Sequence, residues 1–173
     1  KRDWYYNNPA TPELFGKKCE ITEDTWAKCS VFPTITKFNY GKTDDDPAYA
    51  GNNKDRMKFR LAETYLLLAE ARLQQGNTQG AAEAINVVRK RAGAPEINSS
   101  QATMDFLLDE RIRELVGEEL RRFTLVRTGK LVERTKKYNS RSNKIDNDHT
   151  LWPIPQSIID SNTGADFPQN PGY

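Results

Sequence analysis

The chain has 173 residues, 36% hydrophobic and 29% charged, with a net charge of +2. That length suffices for one domain of ordinary size with its own core. No apolar run approaches the roughly 20 residues of a membrane span, and regularly spaced leucines and aromatics argue against disorder. The basic residues Arg89, Lys90, Arg91, Arg121, Arg122, Lys136 and Lys137 mostly lie beside acids or at helix ends, which is not the clustered excess of a nucleic-acid binder.

The opening residues, Lys1 to Tyr6, are charged and aromatic, with no initiator Met and no apolar targeting segment. The sequence therefore reads as a fragment or processed chain, with any anchor encoded upstream. Cys19 and Cys29 are the only cysteines. They are either bonded or free thiols, and without neighbouring histidines they make a poor zinc site. Residues 1–56 read as an irregular segment of aromatics set among Pro, Gly, Asn and Asp. Val31 to Tyr40 is rich in β-formers and predicts one or two short strands. Thr43 to Asn53 is a loop by composition.

The character changes at Arg56. Met57 to Gln75 reads as a helix with Leu61, Tyr65, Leu68 and Ala69 on one apolar stripe. Ala62, Leu66 and Leu73 form a second, so the helix is expected to be buried on two sides. Gly76 ends it in a left-handed conformation. Thr78 is the expected cap of the next helix, whose inner face is Ala81, Ala84, Ile85 and Val88. Arg89, Lys90 and Arg91 then gather in the last turn, where positive charge suits the helix dipole. Helix, turn, helix and Gly93-Ala94-Pro95 span about 34 residues, the period of a tetratricopeptide-like repeat. Arg72 stands where that repeat prefers an aromatic. One unit cannot bury its own faces, and no second clear copy is visible, which again points to missing upstream sequence.

A third helix is expected from Thr103, its N-cap, with Leu108, Ile112 and Leu115 as its stripe. Gly117 interrupts it. Glu118 and Glu119 open a fourth helix that runs through Thr128, with Gly129 closing it. Residues 133–150 read as a polar loop. The rest is a Pro-rich tail with a short helix over Gln156 to Asp160, held by packing because proline lacks a ladder donor.

Three blocks together carry a resemblance. The first runs from Arg60 through Ala71, with Glu63, Tyr65, Leu68 and Glu70, and continues from Ala84 to Gly93. The second is Asp109-Glu110-Arg111-Ile112-Arg113-Glu114-Leu115, then Gly117 to Phe123, then Leu125 to Gly129. The third is Leu151-Trp152-Pro153-Ile154-Pro155-Gln156, ending in Gln169-Asn170-Pro171-Gly172-Tyr173. Their order and spacing over residues 56–173 resemble the SusD/RagB family of surface nutrient-binding lipoproteins. Thr124 and Thr128 depart from the family, which often has Asp and Trp there.

The resemblance implies a mostly α fold of tetratricopeptide-like helical hairpins, and residues 1–173 as the C-terminal portion of one larger domain. Within it, 1–56 would be the irregular segment, 57–94 the first helix pair, 95–129 a second pair and 130–173 loop and tail. It further implies a lipid-anchored protein of the outer-membrane surface. Such a protein captures a glycan or other nutrient for a TonB-dependent SusC-like transporter, without cofactor and without cleaving its ligand. The alternative is a helical-repeat scaffold for protein interaction with no small-molecule ligand.

The best ligand candidates are early aromatics beside hydrogen-bonding side chains: Trp4, Tyr5 and Tyr6 followed by Asn7, and Trp26. Sugar C–H groups pack on aromatic faces while hydroxyls need polar partners; the competing role is anchoring of a loop-rich segment. Asp44, Asp45, Asp46, Asn52, Asn53 and Asp55 lack the spacing of a calcium loop and read as solvated. His149, the only histidine, has no nucleophile motif to serve. The charged stretch Asp109–Arg122 offers i, i+4 pairs, Asp109 with Arg113 and Glu118 with Arg122, and an i, i+3 pair, Glu110 with Arg113. It forms either a solvated surface or a partly buried network joining the third and fourth helices.

Overall fold

The computed structural model describes residues 4–5, 12–14, 16–19 and 57–173. The chain divides into two compact units, 1–57 and 58–173. In the first, strands β1 (Trp4–Tyr5) and β2 (Lys18–Cys19) pair antiparallel, Trp4 opposite Cys19 and Tyr5 opposite Lys18. This short ladder falls in sequence expected to be irregular. The strands expected over Val31 to Tyr40, the Asp44–Asp55 loop and the Cys29 thiol lie outside the described residues.

The second unit is helical: α1 (Leu61–Gln74), α2 (Thr78–Arg91), α3 (Met104–Leu115), α4 (Arg121–Arg127), α5 (Leu131–Tyr138) and α6 (Gln156–Ser161). The fold class is mostly α, as the periodicity predicts. α1 begins four residues later than expected, because Arg60 stands in extended backbone before it and offers no side-chain cap. α1 ends through Gly76, at φ 75°. The Gly76 N–H donates to the Leu73 carbonyl and the Asn77 N–H to that of Arg72. This double closure needs the left-handed conformation that glycine adopts at no steric cost. α2 and α4 close the same way at Gly93 and Gly129.

The cap of α2 is Asn77, not Thr78: the Asn77 Oδ1 accepts from the Gly80 N–H at 2.8 Å. Asn satisfies an orphan donor there as well as Thr would, and stands one residue earlier. Arg72, the misfit of the repeat pattern, donates to the Gly80 carbonyl at 2.6 Å. Thr103 caps α3 as expected, accepting from Phe106 N–H at 3.1 Å.

The core of the hairpin is apolar and close-packed. Leu66 and Ala69 of α1 meet Ala81, Ala84, Ile85 and Val88 of α2, with Leu107 and Leu115 of α3 beneath them. The small alanines let the backbones approach, and the expected inner face of α2 is the one buried. The expectation for α1 needs correction. Tyr65 and Ala69 turn inward with Ala62, Leu66 and Leu73, but Leu61 and Leu68 are exposed, at 67% and 40%. Within this chain α1 is buried on one side, because α2 and α3 pack on its Leu66–Ala69 face.

Ile112, expected on the inner stripe of α3, is exposed, and Arg111 takes the inward position beside Leu107 and Leu108. A second cluster of Leu108, Leu125 and Leu131 ties α3 to α4 and α5. α5 replaces the expected polar loop after residue 133. Its inner face is only Leu131 and Arg134, too short an apolar signal to read as a period, and Arg134 is buried through its ion pairs to Asp105 and Asp109.

Candidate functional site

Of the expected ligand residues, Trp4 and Tyr5 form β1. Tyr6, Asn7 and Trp26 lie outside the described residues. The described geometry therefore concerns the helical unit, where two arrangements of polar and aromatic side chains stand out.

The first is an ionic layer joining α1, α3 and the turn before α4. Arg60 donates through Nη1 to Glu114 at 2.5 Å, through Nε to Glu118 at 2.5 Å and through Nη2 to the Glu114 carbonyl at 2.7 Å. Arg111, 1% exposed, donates through Nε to Glu119 at 2.5 Å and lies 3.5 Å from Glu63 of α1. Arg127 holds the buried Glu70 with two parallel bonds, at 2.8 and 2.9 Å. Arg89 and Arg113 both donate to the buried Glu110 and both lie over the Phe106 ring.

The pairing differs from a reading by helix spacing. Asp109 pairs with Arg134 across to α5, not with Arg113. Glu118 pairs with Arg60, and Arg122 turns away to the His149 carbonyl. The Glu110–Arg113 pair does form, at 2.7 Å. Of the two outcomes left open, the partly buried network is the one observed, and it reaches beyond α3 and α4 to α1 and α2.

Glu119 shows how a carboxylate is kept charged inside this layer. Burial pushes its pKa up, but the Thr124 hydroxyl, at 2.7 Å, and the guanidinium groups of Arg111 and Arg121 outweigh that, holding it below the ordinary value. Thr124 thus has a role that an Asp would lack: a hydroxyl can donate to Glu119, whereas a second carboxylate would repel it. Arg127 is raised, chiefly by its bonds to Glu70. The signal that could have revealed the layer was present in the sequence. Glu70 and Arg111 stand at apolar positions of otherwise periodic helices, one turn from Leu66 and from Leu107 and Leu115.

The second arrangement is the turn before α6. Arg122 of α4 donates to the His149 carbonyl and lies 4.5 Å over the Trp152 ring. The Gln169 side chain bonds both the N–H and the carbonyl of Ile154 at 2.8 Å. Asn170 donates to the Trp152 carbonyl at 2.7 Å, and Tyr173 donates to that of Leu151 at 3.2 Å. Side-chain amides thus hold the backbone of the tail, a contribution beside the packing of aromatics and prolines that the sequence led us to expect. Gly172 lies so near Asp148 that a Cβ would come within 2.4 Å of its carboxyl carbon, at φ 89°. Among the described residues no cluster of three metal-ligating side chains forms, and no helix is long and apolar enough to cross a membrane.

A tetratricopeptide-like helix pair backed by an ionic layer defines a mostly α protein of the helical-hairpin class. The comparisons narrow this class. A model described as the SusD family matches residues 17–173. SusD-like protein P25 of Formosa agariphila is 30% identical over 141 residues, covering 76% of this chain and 27% of its own. Starch-binding protein SusD of Bacteroides thetaiotaomicron is 34% identical over 149 residues, covering 81% and 26%. The solved structure of BT4246 superposes with a TM-score of 0.53 at 30% identity, over 66% of this chain and 23% of that one. The chain belongs to the SusD family, as its three sequence blocks implied. It spans about a quarter of the length of the relatives it matches.

Proposed function

We propose that these 173 residues are one portion of a larger SusD/RagB-like domain that binds a glycan or other nutrient at the cell surface. The whole protein, held at the outer membrane by a lipid on an upstream segment, passes its ligand to a TonB-dependent SusC-like transporter. Binding is non-covalent and leaves the ligand intact. The supporting observation is the family match over residues 17–173, together with a relative whose name states starch binding. The helical unit serves as rigid backing. Trp4, Tyr5, Tyr6, Asn7 and Trp26 supply stacking faces and hydrogen bonds to the ligand. Isothermal titration of the full-length protein against a panel of glycans tests this: micromolar heat with at least one class is expected, and silence across the panel with the fold intact rules it out.

A second reading draws on the outward face of α1, where Leu61, Leu67 and Leu68 are exposed. Such a stripe suits a helical partner, and it favours a protein-interaction scaffold without a small ligand. Within the leading reading the same stripe is covered by helices from the rest of the domain. Recovery of a stable complex with a transporter-like barrel, and no response to any glycan, would select the scaffold.

A further inference from the structure

We propose that Arg121 is a socket for an acidic side chain from outside these 173 residues, which makes the ionic layer a docking surface for another part of the same protein. The proposal rests on the reading of this chain as one portion of a larger domain. Arginine stays protonated even when partly buried, so its N–H groups need acceptors. The other arginines of the layer find them. Arg60, Arg127 and Arg134 each make two bonds to carboxylates. Arg121 makes one, to Glu119 at a long 3.3 Å, although its side chain is only 25% exposed.

Glu119 has little to give it. The Glu119 Oε1 already accepts from Arg111 at 2.5 Å and from the Thr124 hydroxyl at 2.7 Å, so two guanidinium groups share one buried carboxylate. Arg111 is itself under-matched. Its Nη1 meets no acceptor among the described residues, and Glu63 stands 3.5 Å away, beyond an ordinary hydrogen bond. Burial and the charges of Arg134 and Arg111 hold the Arg121 pKa below its ordinary value, against the pull of Glu119. The partner called for is an anion, because a neutral carbonyl would satisfy bonds without offsetting that repulsion. The neighbouring acids are committed elsewhere: Glu70 to Arg127, Asp105 and Asp109 to Arg134, Glu118 to Arg60. This chain spans about a quarter of the length of its relatives, so the larger protein has ample sequence from which to bring a carboxylate. A guanidinium fork takes a carboxylate in a fixed geometry, and the pair would set the register of the docked segment.

The test uses the full-length protein carrying Arg121→Lys, treated with a carbodiimide, which joins an amine to a carboxylate only where the two touch. Peptide mapping is expected to show position 121 linked to an Asp or Glu outside residues 1–173. Converting that acid to its amide and Arg121→Met, singly and together, should then show a coupling of about tenfold in the unfolding equilibrium, the factor that ~1.4 kcal/mol represents. A link to Glu119 or another acid within the 173 residues alone, or no link, overturns the proposal, as does a pair whose effects simply add. Should Arg121→Lys not fold, a crystal structure of the unsubstituted full-length protein decides instead. A carboxylate from outside residues 1–173 within about 4 Å of the Arg121 guanidinium upholds the socket. Water, a free anion or Glu119 alone in that place refutes it. Each of these failures leaves the larger-domain reading standing, whereas a gene encoding only these residues would sink both.

Discussion

The α1–α2 hairpin and the joint of α1 with α3 and α4 share one helix yet are held by opposite means. The buried centre of the α1–α2 contact is leucine, isoleucine, valine and alanine, and charge enters at its rim, where Arg72 bonds the Gly80 carbonyl and lies 3.8 Å from Glu83. Between α1 and the α3–α4 turn lie Arg60, Glu63, Glu70, Arg111, Glu114, Glu118, Glu119 and Arg127, bonded to one another across the helices. Apolar contact is non-directional and tolerates small shifts, so it sets proximity. Guanidinium–carboxylate pairs are directional and lose much when displaced, so they set angle and register. On this contrast the hairpin should tolerate small shifts, whereas removing one partner in the joint should strand the other as a buried charge.

The largest expected effect strikes the joint. Glu119→Ala leaves Arg111 buried with Glu63, at 3.5 Å, as its remaining ion-pair partner among the described residues and should cost about 3–5 kcal/mol, the usual penalty for stranding a buried charge. Urea denaturation of the full-length protein would read it, and a loss under ~1 kcal/mol would show the layer to be ordinary surface pairing. Close behind comes the hairpin. Leu66→Ala removes a fully buried side chain facing α2 and should cost about 2–5 kcal/mol through lost transfer energy and the cavity left behind. Unlike the first variant, it should leave the acid dependence of stability as in the unsubstituted protein.

That acid dependence sharpens the contrast. Glu119 has a folded pKa below the ordinary 4.5. Its contribution is therefore complete above the ordinary value, declines as pH falls beneath it, and is gone once pH passes the depressed folded value. Thermal melts from pH 6 downward should show this loss, and Glu119→Gln should flatten it; an unchanged profile in that variant would assign the acid lability to other groups. The smallest effect is expected at the rim. Arg91, whose side chain is 62% exposed, bonds Glu114 at 2.8 Å, and Arg91→Ala should cost under ~1 kcal/mol and less still in high salt. A larger loss would mean that the ionic layer continues to the surface as one cooperative network.

The two regions also differed in how far they could be read in advance. The inner face of α2 was legible, because Ala81, Ala84, Ile85 and Val88 repeat at helical spacing and Gly76 and Gly93 bracket it, though its cap proved to be Asn77 and not Thr78. α1 was legible as a helix but not in orientation. It has leucines on more than one face, and only its neighbours decide that Leu66, not Leu61, packs within this unit. α5 was missed because a buried arginine does the work of an apolar residue there. The i, i+4 rule misassigned Asp109, Glu118 and Arg122, since each found a partner from another element. The turn that presents Trp152 was visible only as a Pro-punctuated stretch, because the amides that hold it arrive from residues 15 to 18 positions later.

Local order, then, was written in the sequence: helix type, the glycine stops, the Thr103 cap, the apolar face of α2 and membership of the SusD family. These depend on near neighbours along the chain and on backbone preferences that act over a few residues. Tertiary structure alone decided which face of α1 meets α2 and α3, which carboxylate each arginine holds, and which amides fix the turn at Trp152. Such choices depend on groups distant in sequence, and a charge is buried only where the fold delivers its counter-charge.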